Sequence, residues 1–438
     1  MTFKKLIGKI HLWLGFLAGL VVVISMTAAA IFVWEEELTD WFYADYVFVE
    51  EQTTQQPMAK LFAAARAALP GKEIYGVEVF NDPERAYAFS AYQRNQNAGG
   101  WTFWDDYTYW DKVYVDPYTG QVTGTVNMLT NWIELTRRLH QNLLLRYDIG
   151  HWIVGVATLI ILIMVITGLV LWWPKNRKVL WQRLKIKWNA RWRRVNYDIH
   201  NVGGFYTYLF IIILAVTGLV WTFDWWTDGI YRLLGNDPEE VFAKPPELLR
   251  SGPTPESAIN VAWQDAQQQR STWQRIYFNL PKSEEKGGIS AFVEFDGSSG
   301  WQESDQYLYQ PEAGNIHFRR RQEDKLLGEK WRNSNYPIHV GSIYGLSTKL
   351  LACFAALFCA SLPVTGFYIW LGRRKKKKPQ FTSARRNKSK PAHSPSRKSK
   401  LTAAKPKVQP RPKVVSRQPP RTFTIKQSPK QTKSKHND

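Results

Sequence analysis

Cysteine is almost missing from this sequence: Cys353 and Cys359 are the only two in 438 residues. Both fall inside one apolar run, so they cannot staple an external domain and read as small packing residues. No CxxCH stretch occurs, which excludes covalent attachment of a c-type haem. No GxGxxG or similar phosphate-cradling pattern occurs either, so no flavin or nicotinamide site is encoded in recognisable form. Acidic residues are missing from the C-terminus: residues 373–438 hold 23 of the 58 Lys and Arg but one of the 37 Asp and Glu. The net charge of +21 therefore belongs to that tail, and the rest of the chain comes to −1. A basic nucleic-acid-binding body is excluded, and no nucleic-acid partner is expected. The tail, rich in Lys, Arg, Pro and Ser, reads as disordered and attracted to anionic lipid.

Long apolar runs are what the sequence has in plenty. Residues 12–34, 152–173, 205–223 and 350–371 are each long enough for ~30 Å of hydrocarbon at about 1.5 Å per residue, and their ends carry Trp and Tyr. The loop 174–200 holds nine Lys or Arg and one Asp; residues 35–139 hold eight basic and sixteen acidic residues, and 224–338 thirteen and eighteen. Positive segments stay inside, so both termini are expected in the cytoplasm. The first run is too long for the apolar part of a leader peptide. The expected organisation is a transmembrane helix in 1–34, an external domain in 35–139, a returning helix with its juxtamembrane segment in 140–173 and a basic cytoplasmic loop in 174–199. A third helix in 200–223, a second external domain in 224–338, a fourth helix in 339–372 and the tail in 373–438 follow.

The order of features repeats. "VTGLVW" (216–221) echoes "ITGLVLWW" (166–173) and "VTGFYIW" (364–370); "VYVDPYTGQV" (113–122) has its counterpart in "YLYQPEAGNI" (307–316). His11 precedes Thr27 as His200 precedes Thr217, and His140 precedes Thr167 as His339 precedes Thr365, at offsets between halves that drift only from 189 to 199. The chain reads as an internal duplication of one unit: helix out, external domain, helix back. Each external segment carries an amphipathic helix ("PMAKLFAAARAALPG", "TPESAINVAWQDAQQQ") followed by alternating strands, a small α+β domain.

The repeat sorts the histidines. His11 and His200 open the outward helices at one depth; His140 and His339 precede the returning helices at the other. His151 has no counterpart. Two imidazoles at equal depth on neighbouring helices suit the axial ligation of a b-type haem, with Gly15, Gly19, Gly203 and Gly204 near the inner pair leaving room for a flat macrocycle. Interfacial polar histidines, zinc and a proton relay are the other readings, although no nearby Cys or His completes a zinc set and the apolar runs hold no acidic partner.

With "IHLWLGFLAGL", "LHQNLL", "GHWIVG", "TGLVLWWP", "DIHNVGGFY", "IHVGSIYGL" and the "DPYTG" hairpin, residues 1–372 resemble the PepSY-associated transmembrane family. That family includes iron-regulated bacterial inner-membrane proteins, some of them dihaem ferric-siderophore reductases. The resemblance implies a membrane α-helical fold of four transmembrane helices with two periplasmic PepSY-like α+β domains. It also implies two non-covalent b-type haems held by His11, His200, His140 and His339. His140 lies twelve residues before Trp152, roughly 18 Å of straight helix, so either the chain bends back or His151 takes part as ligand or hydrogen-bond partner. The expected activity is haem-dependent reduction of a periplasmic ferric siderophore, with electrons from a quinol or a cytoplasmic donor. Trp101, Trp104, Tyr107 and Trp110 in "WTFWDDYTYWD" are either a packed aromatic sheet face or a lip for the chelate. The competing class is a non-enzymatic membrane anchor whose external domains bind or inhibit a peptidase or regulate a partner.

Overall fold

The computed structural model describes residues 2–374 except 175, 242, 250, 251, 282–285, 298 and 299, so nearly all of the expected basic tail lies outside the described residues. The principal helices run in chain order as α1 (Phe3–Phe32), α2 (Glu35–Phe42), α3 (Met58–Ala68), α4 (Trp132–Asn142), α5 (Tyr147–Trp172), α6 (Trp192–Leu219), α7 (Glu256–Gln268), α8 (Leu327–Val340) and α9 (Leu346–Arg374). Among the described residues α1, α5, α6 and α9 are long and apolar enough to cross a membrane. They pack on one another through small and branched side chains, with Ala18, Val22, Ala157, Ile161, Ile211 and Cys359 at the centre. Both cysteines are free thiols.

The two long inter-helix segments supply β1 (Ile74–Phe80), β2 (Tyr87–Arg94), β3 (Tyr107–Val115), β4 (Val122–Asn127), β5 (Trp273–Asn279), β6 (Ile289–Phe295), β7 (Glu303–Tyr309) and β8 (Ile316–Arg320). They form one antiparallel sheet in the order β4-β3-β2-β1-β5-β6-β7-β8. The seam is the β1–β5 pair, in register from Gly76 opposite Asn279 to Phe80 opposite Arg275. Gly76 suits the crossing, because a Cβ there would stand 2.0 Å from the Asn279 Oδ1, which would have to swing aside, and 3.3 Å from the Phe278 carbonyl oxygen. Joining the halves turns two four-stranded edges into an interior pair, which hides backbone donors and acceptors that an open edge would leave unpaired.

Alternation sets the faces of the sheet. One face carries Val77, Val79, Phe89, Val113, Ile276, Phe278 and Val293 against Met58, Leu61, Phe62 and Ala65 of α3 and Ala258, Ile259, Ala262 and Trp263 of α7. The α3 positions recur at i, i+3, i+4 and i+7, and Ile259, Ala262, Trp263 and Ala266 repeat that spacing in α7, one apolar stripe on each helix. A single core therefore spans both halves, and the Ala59 amide donates to the Asn260 Oδ1 across it at 2.9 Å. Each half ties the end of its helix to its sheet with an ion pair to a buried aspartate: Lys72–Asp111 and Arg270–Asp305, both at 2.6 Å. The hairpins close on Gly120 and Gly314, both at φ +74, a conformation that only glycine adopts without strain. Phe278 is fully buried and packs on Phe62 and Trp263. Phe278→Ala is expected to cost about 3–5 kcal/mol, read as a lowered thermal midpoint of the detergent-solubilised protein.

The opposite face of the sheet is charged. Glu78, Lys112, Arg275 and Glu294 project from it, joined at 2.8–3.5 Å, towards the end of the bundle that carries α2, α4 and α8.

Candidate functional site

Four histidines converge in two pairs at opposite ends of the bundle. His11 sits near the start of α1 and His200 near the start of α6, inside a π-helical turn spanning Ile199–Gly203. Such a wide turn displaces one residue from helical register and is common at functional positions. The ring centres of His11 and His200 lie 6.5 Å apart at an interplanar angle of 89°. At the sheet end His140 of α4 faces His339 of α8, with ring centres 6.0 Å apart at 33°.

His140 reaches this position because the chain turns back on itself. Leu143 and Leu144, at φ 58 and 59, break α4 from α5, a left-handed conformation that costs a non-glycine residue roughly 1–2 kcal/mol each. The turn closes so tightly that a Cβ on Gly150 would stand 2.0 Å from the Asn142 carbonyl oxygen. Helix α4 is thereby laid against α1, where His140 meets Ser25. Gly341, at φ +81, makes the corresponding break between α8 and α9.

Each histidine is oriented through its Nδ1. His11 Nδ1 lies 2.9 Å from the Thr167 Oγ1, His200 Nδ1 2.8 Å from the Thr365 Oγ1 and His339 Nδ1 2.9 Å from the Thr217 Oγ1. Each hydroxyl has one hydrogen, already directed at a carbonyl one turn back: Ile163, Ser361 and Ile213, at 2.9, 2.9 and 2.7 Å. The threonine oxygens therefore accept, each Nδ1 donates, and each Nε2 is left with a bare lone pair. At His140 the Ser25 hydroxyl donates to the His140 carbonyl at 2.8 Å, and Nδ1 donates to the Ser25 carbonyl at 3.1 Å. All four imidazoles thus adopt the tautomer of a metal-ligating histidine with its other nitrogen held.

The residue after each of these threonines is glycine, and the contacts explain why. A Cβ on Gly168, Gly366 or Gly218 would stand 3.4, 3.3 or 3.1 Å from the Cε1 of His11, His200 or His339. The thrice-repeated Thr-Gly is a seat for an imidazole: the hydroxyl accepts and the missing side chain gives the ring space. Sequence comparison used these dipeptides only as markers of the repeat. It also matched Thr27 to Thr217, but Thr27 is exposed and donates to its own helix at the Val23 carbonyl, while Ser25 takes the histidine. Gly203 is likewise reassigned: its face meets Phe358, where a Cβ would come within 2.2 Å, so it packs two helices together.

A cavity of about 1460 Å³ opens among α1, α5, α6 and α9 with His11 and His200 in its wall. Gly8, Gly15, Gly19, Gly168, Gly204 and Gly366 line it without side chains, and Lys4, Lys5, Lys9 and Arg373 stand at its terminal end. His151 is placed differently. Its Nδ1 donates to the Tyr147 carbonyl of its own helix, its ring lies parallel to Tyr147 at 4.5 Å, and its other ring contact is Trp152. Of the aromatic stretch, Trp101 is 71 % exposed, while Trp104 donates to the Leu129 carbonyl at 2.8 Å. Tyr107 and Trp110 stack at 5.1 Å and hold the Arg138 guanidinium over their rings, 5.7 and 4.9 Å from the centroids. They therefore brace α4 two residues from His140.

The match to the family model described as PepSY-associated TM region runs over residues 9–373, from before the first histidine of the inner pair to the end of α9. The chain belongs to the PepSY-associated transmembrane family. Comparison with curated proteins gave no match. Membership in the PepSY-associated family and the four apolar helices together make this a multi-pass membrane protein.

Proposed function

We propose that the two histidine pairs hold two b-type haems and that the protein carries electrons across the bacterial inner membrane to a ferric siderophore outside. One observation carries the reading: four half-buried imidazoles in two facing pairs, every one with Nδ1 engaged and Nε2 bare. Imidazole–metal bonds of about 2 Å, with each ring centre roughly 1 Å farther out, separate the centres of two axial rings by about 6 Å. The observed separations are 6.5 and 6.0 Å. Among the described residues no group of three His, Cys, Asp or Glu converges. Each pair would therefore offer two imidazole nitrogens, which suits a metal whose remaining ligands come from a macrocycle.

In this reading the chain is an internal duplication with two PepSY-like halves fused at the β1–β5 seam. Both termini and the His11–His200 pair lie on the cytoplasmic side, and the sheet stands in the periplasm. Bound haem supplies a one-electron Fe(III)/Fe(II) couple. The protein's part is to hold the ligands and set their electronics. Thr167, Thr365 and Thr217 keep the imidazoles oriented and electron-rich by accepting from Nδ1. Along α1, fourteen residues separate His11 from Ser25, roughly 21 Å of helix, so the two sites divide the bilayer between them. Lys4, Lys5, Lys9 and Arg373 line the same cavity as His11 and His200 and would offer positive charge to carboxylates of a macrocycle bound there. Electrons enter from a quinol or a cytoplasmic donor. Trp101 and Trp104 are left as contacts for the incoming chelate, and the tail contributes attraction to anionic lipid.

The test is reduction of a ferric chelate held outside right-side-out vesicles, followed with an impermeant ferrous-iron trap. Vesicles containing the protein should form the ferrous complex at a rate well above vesicles lacking it; equal rates would refute the reductase. Gly218→Val is expected to drive a side chain into the His339 ring and to lower haem content towards one per chain. Haem extraction and absorbance of the purified variant check this.

A further inference from the structure

The two histidines of the second half end the same five-residue pattern, "NYDIH" (196–200) and "NYPIH" (335–339). One of them belongs to each pair. The first-half histidines lack it and end "IGKIH" (7–11) and "TRRLH" (136–140). Asparagine is a poor helix former, and burying its amide is costly unless the amide finds partners. Yet Asn196 and Asn335 are both only 3 % exposed.

Their partners show what the amides do. Residues four apart share a helix face, so each asparagine reaches the same neighbouring helix as its histidine. Asn196 Nδ2 donates to the Thr365 carbonyl at 3.0 Å, and Asn335 Nδ2 donates to the Thr217 carbonyl at 3.2 Å. These are the threonines whose hydroxyls accept from His200 and His339, at 2.8 and 2.9 Å. Because a carbonyl oxygen can only accept, the atom facing it is the amide nitrogen, which settles the orientation of both side chains. Thr217 stands two residues from the end of α6, where helix carbonyls run out of partners, and the Trp221 amide turns to Gly218 instead. Each threonine is thus gripped twice by one helix: on its main chain by the asparagine, and on its hydroxyl by the histidine one turn later. A single bond leaves an imidazole free to pivot about it; two bonds to one residue do not.

The first half has no such latch. Ile7 precedes His11 by one turn, and Thr136, one turn before His140, donates to the Ile133 carbonyl of its own helix at 2.7 Å. Asn335 adds a further sign. Its Oδ1 is buried with no hydrogen-bond partner among the described residues, a cost that leucine would avoid. What asparagine contributes there is the Nδ2 bond.

We propose that Asn196 and Asn335 are positioning residues, one for each site, which hold the seat threonine and so fix the plane of one imidazole in each pair. The spectroscopic consequence rests on the haem reading above. A firmly held Nδ1–H keeps the imidazole basic, and a more basic axial ligand favours ferric iron. Loosening the seat should therefore raise the potential of that haem and change the angle between its two ligand planes.

Asn196→Leu and Asn335→Leu, purified with haem, test this by redox titration and by the low-spin g values of the ferric protein. Each variant should raise the midpoint of one of two components, alter its g values and leave the other component in place. The component that moves should differ between the two variants. Asn333→Leu, which removes an α8 amide bonded to the Ser304 Oγ at 3.3 Å, should move neither. Wild-type potentials and g values in both variants, or equal movement of both components in either, would overturn the assignment. A second measurement needs no haem: in ¹⁵N-histidine spectra of the haem-free protein, the Nδ1 proton of His200 or His339 should exchange faster in the matching variant. Unchanged exchange would count against the latch. A wild-type protein that holds no haem would overturn the redox reading, and proton exchange would still decide the role of the asparagines.

Discussion

Replacing His11 or His200 by alanine is expected to remove one of two haems and to leave the other spectroscopically intact. The two rings are 6.5 Å apart on α1 and α6, each seated on a Thr-Gly of a different neighbouring helix. Either substitution therefore takes away one of the two imidazole nitrogens that would hold the haem, without disturbing the other imidazole. The outer pair is held by different helices: α4 rests on Ser25 of α1, and α8 on Thr217 of α6. Haem per chain should fall from two to about one in both variants, measured as the pyridine haemochrome against protein concentration. Haem at the wild-type level in both would contradict the inner pair.

His140→Ala should abolish reduction of an external ferric chelate, while His151→Ala should leave at least most of it. His140 faces His339 at 6.0 Å with its Nδ1 fixed by Ser25, whereas His151 is turned to Tyr147 on its own helix. If the pairs hold haem as proposed, the outer one would lose a ligand without His140, and electrons reaching the other pair would have no onward station. Removing His151 takes away a ring stacked on Tyr147 and a hydrogen bond internal to α5, effects confined to packing. Side-by-side dithionite-reduced spectra and chelate-reduction rates distinguish the cases. Loss of the outer haem in His151→Ala, with His140→Ala unaffected, would reverse the assignment.

Much of this was legible in the sequence because it follows from periodicity. The apolar run 152–173 lies within a residue of the end of α5, and the alternating segments became strands closed by the turns at Gly120 and Gly314. What was hidden depends on geometry that periodicity does not encode. The seam between β1 and β5 is a pairing of residues about 200 apart, and nothing in either strand names its partner. The fold-back that lowers His140 to Ser25 uses two leucines in the left-handed region, where a glycine would have signalled a turn and leucine does not. Ser25 escaped for a related reason. Matching by offset selected Thr27, but two residues along a helix is about 200° of rotation, so Thr27 points away from the side that His140 approaches. The π-helical turn at His200 similarly shifts helical phase in a way that a constant offset cannot follow.

The most direct test of the central claim is the optical spectrum of the purified wild-type protein with haem counted per chain. Two facing pairs of imidazoles with free Nε2 predict a red protein with sharp low-spin bands on reduction and two non-covalent haems per chain, extractable with acidified organic solvent. A colourless protein that remains haem-free when expressed with ample haem would contradict the account.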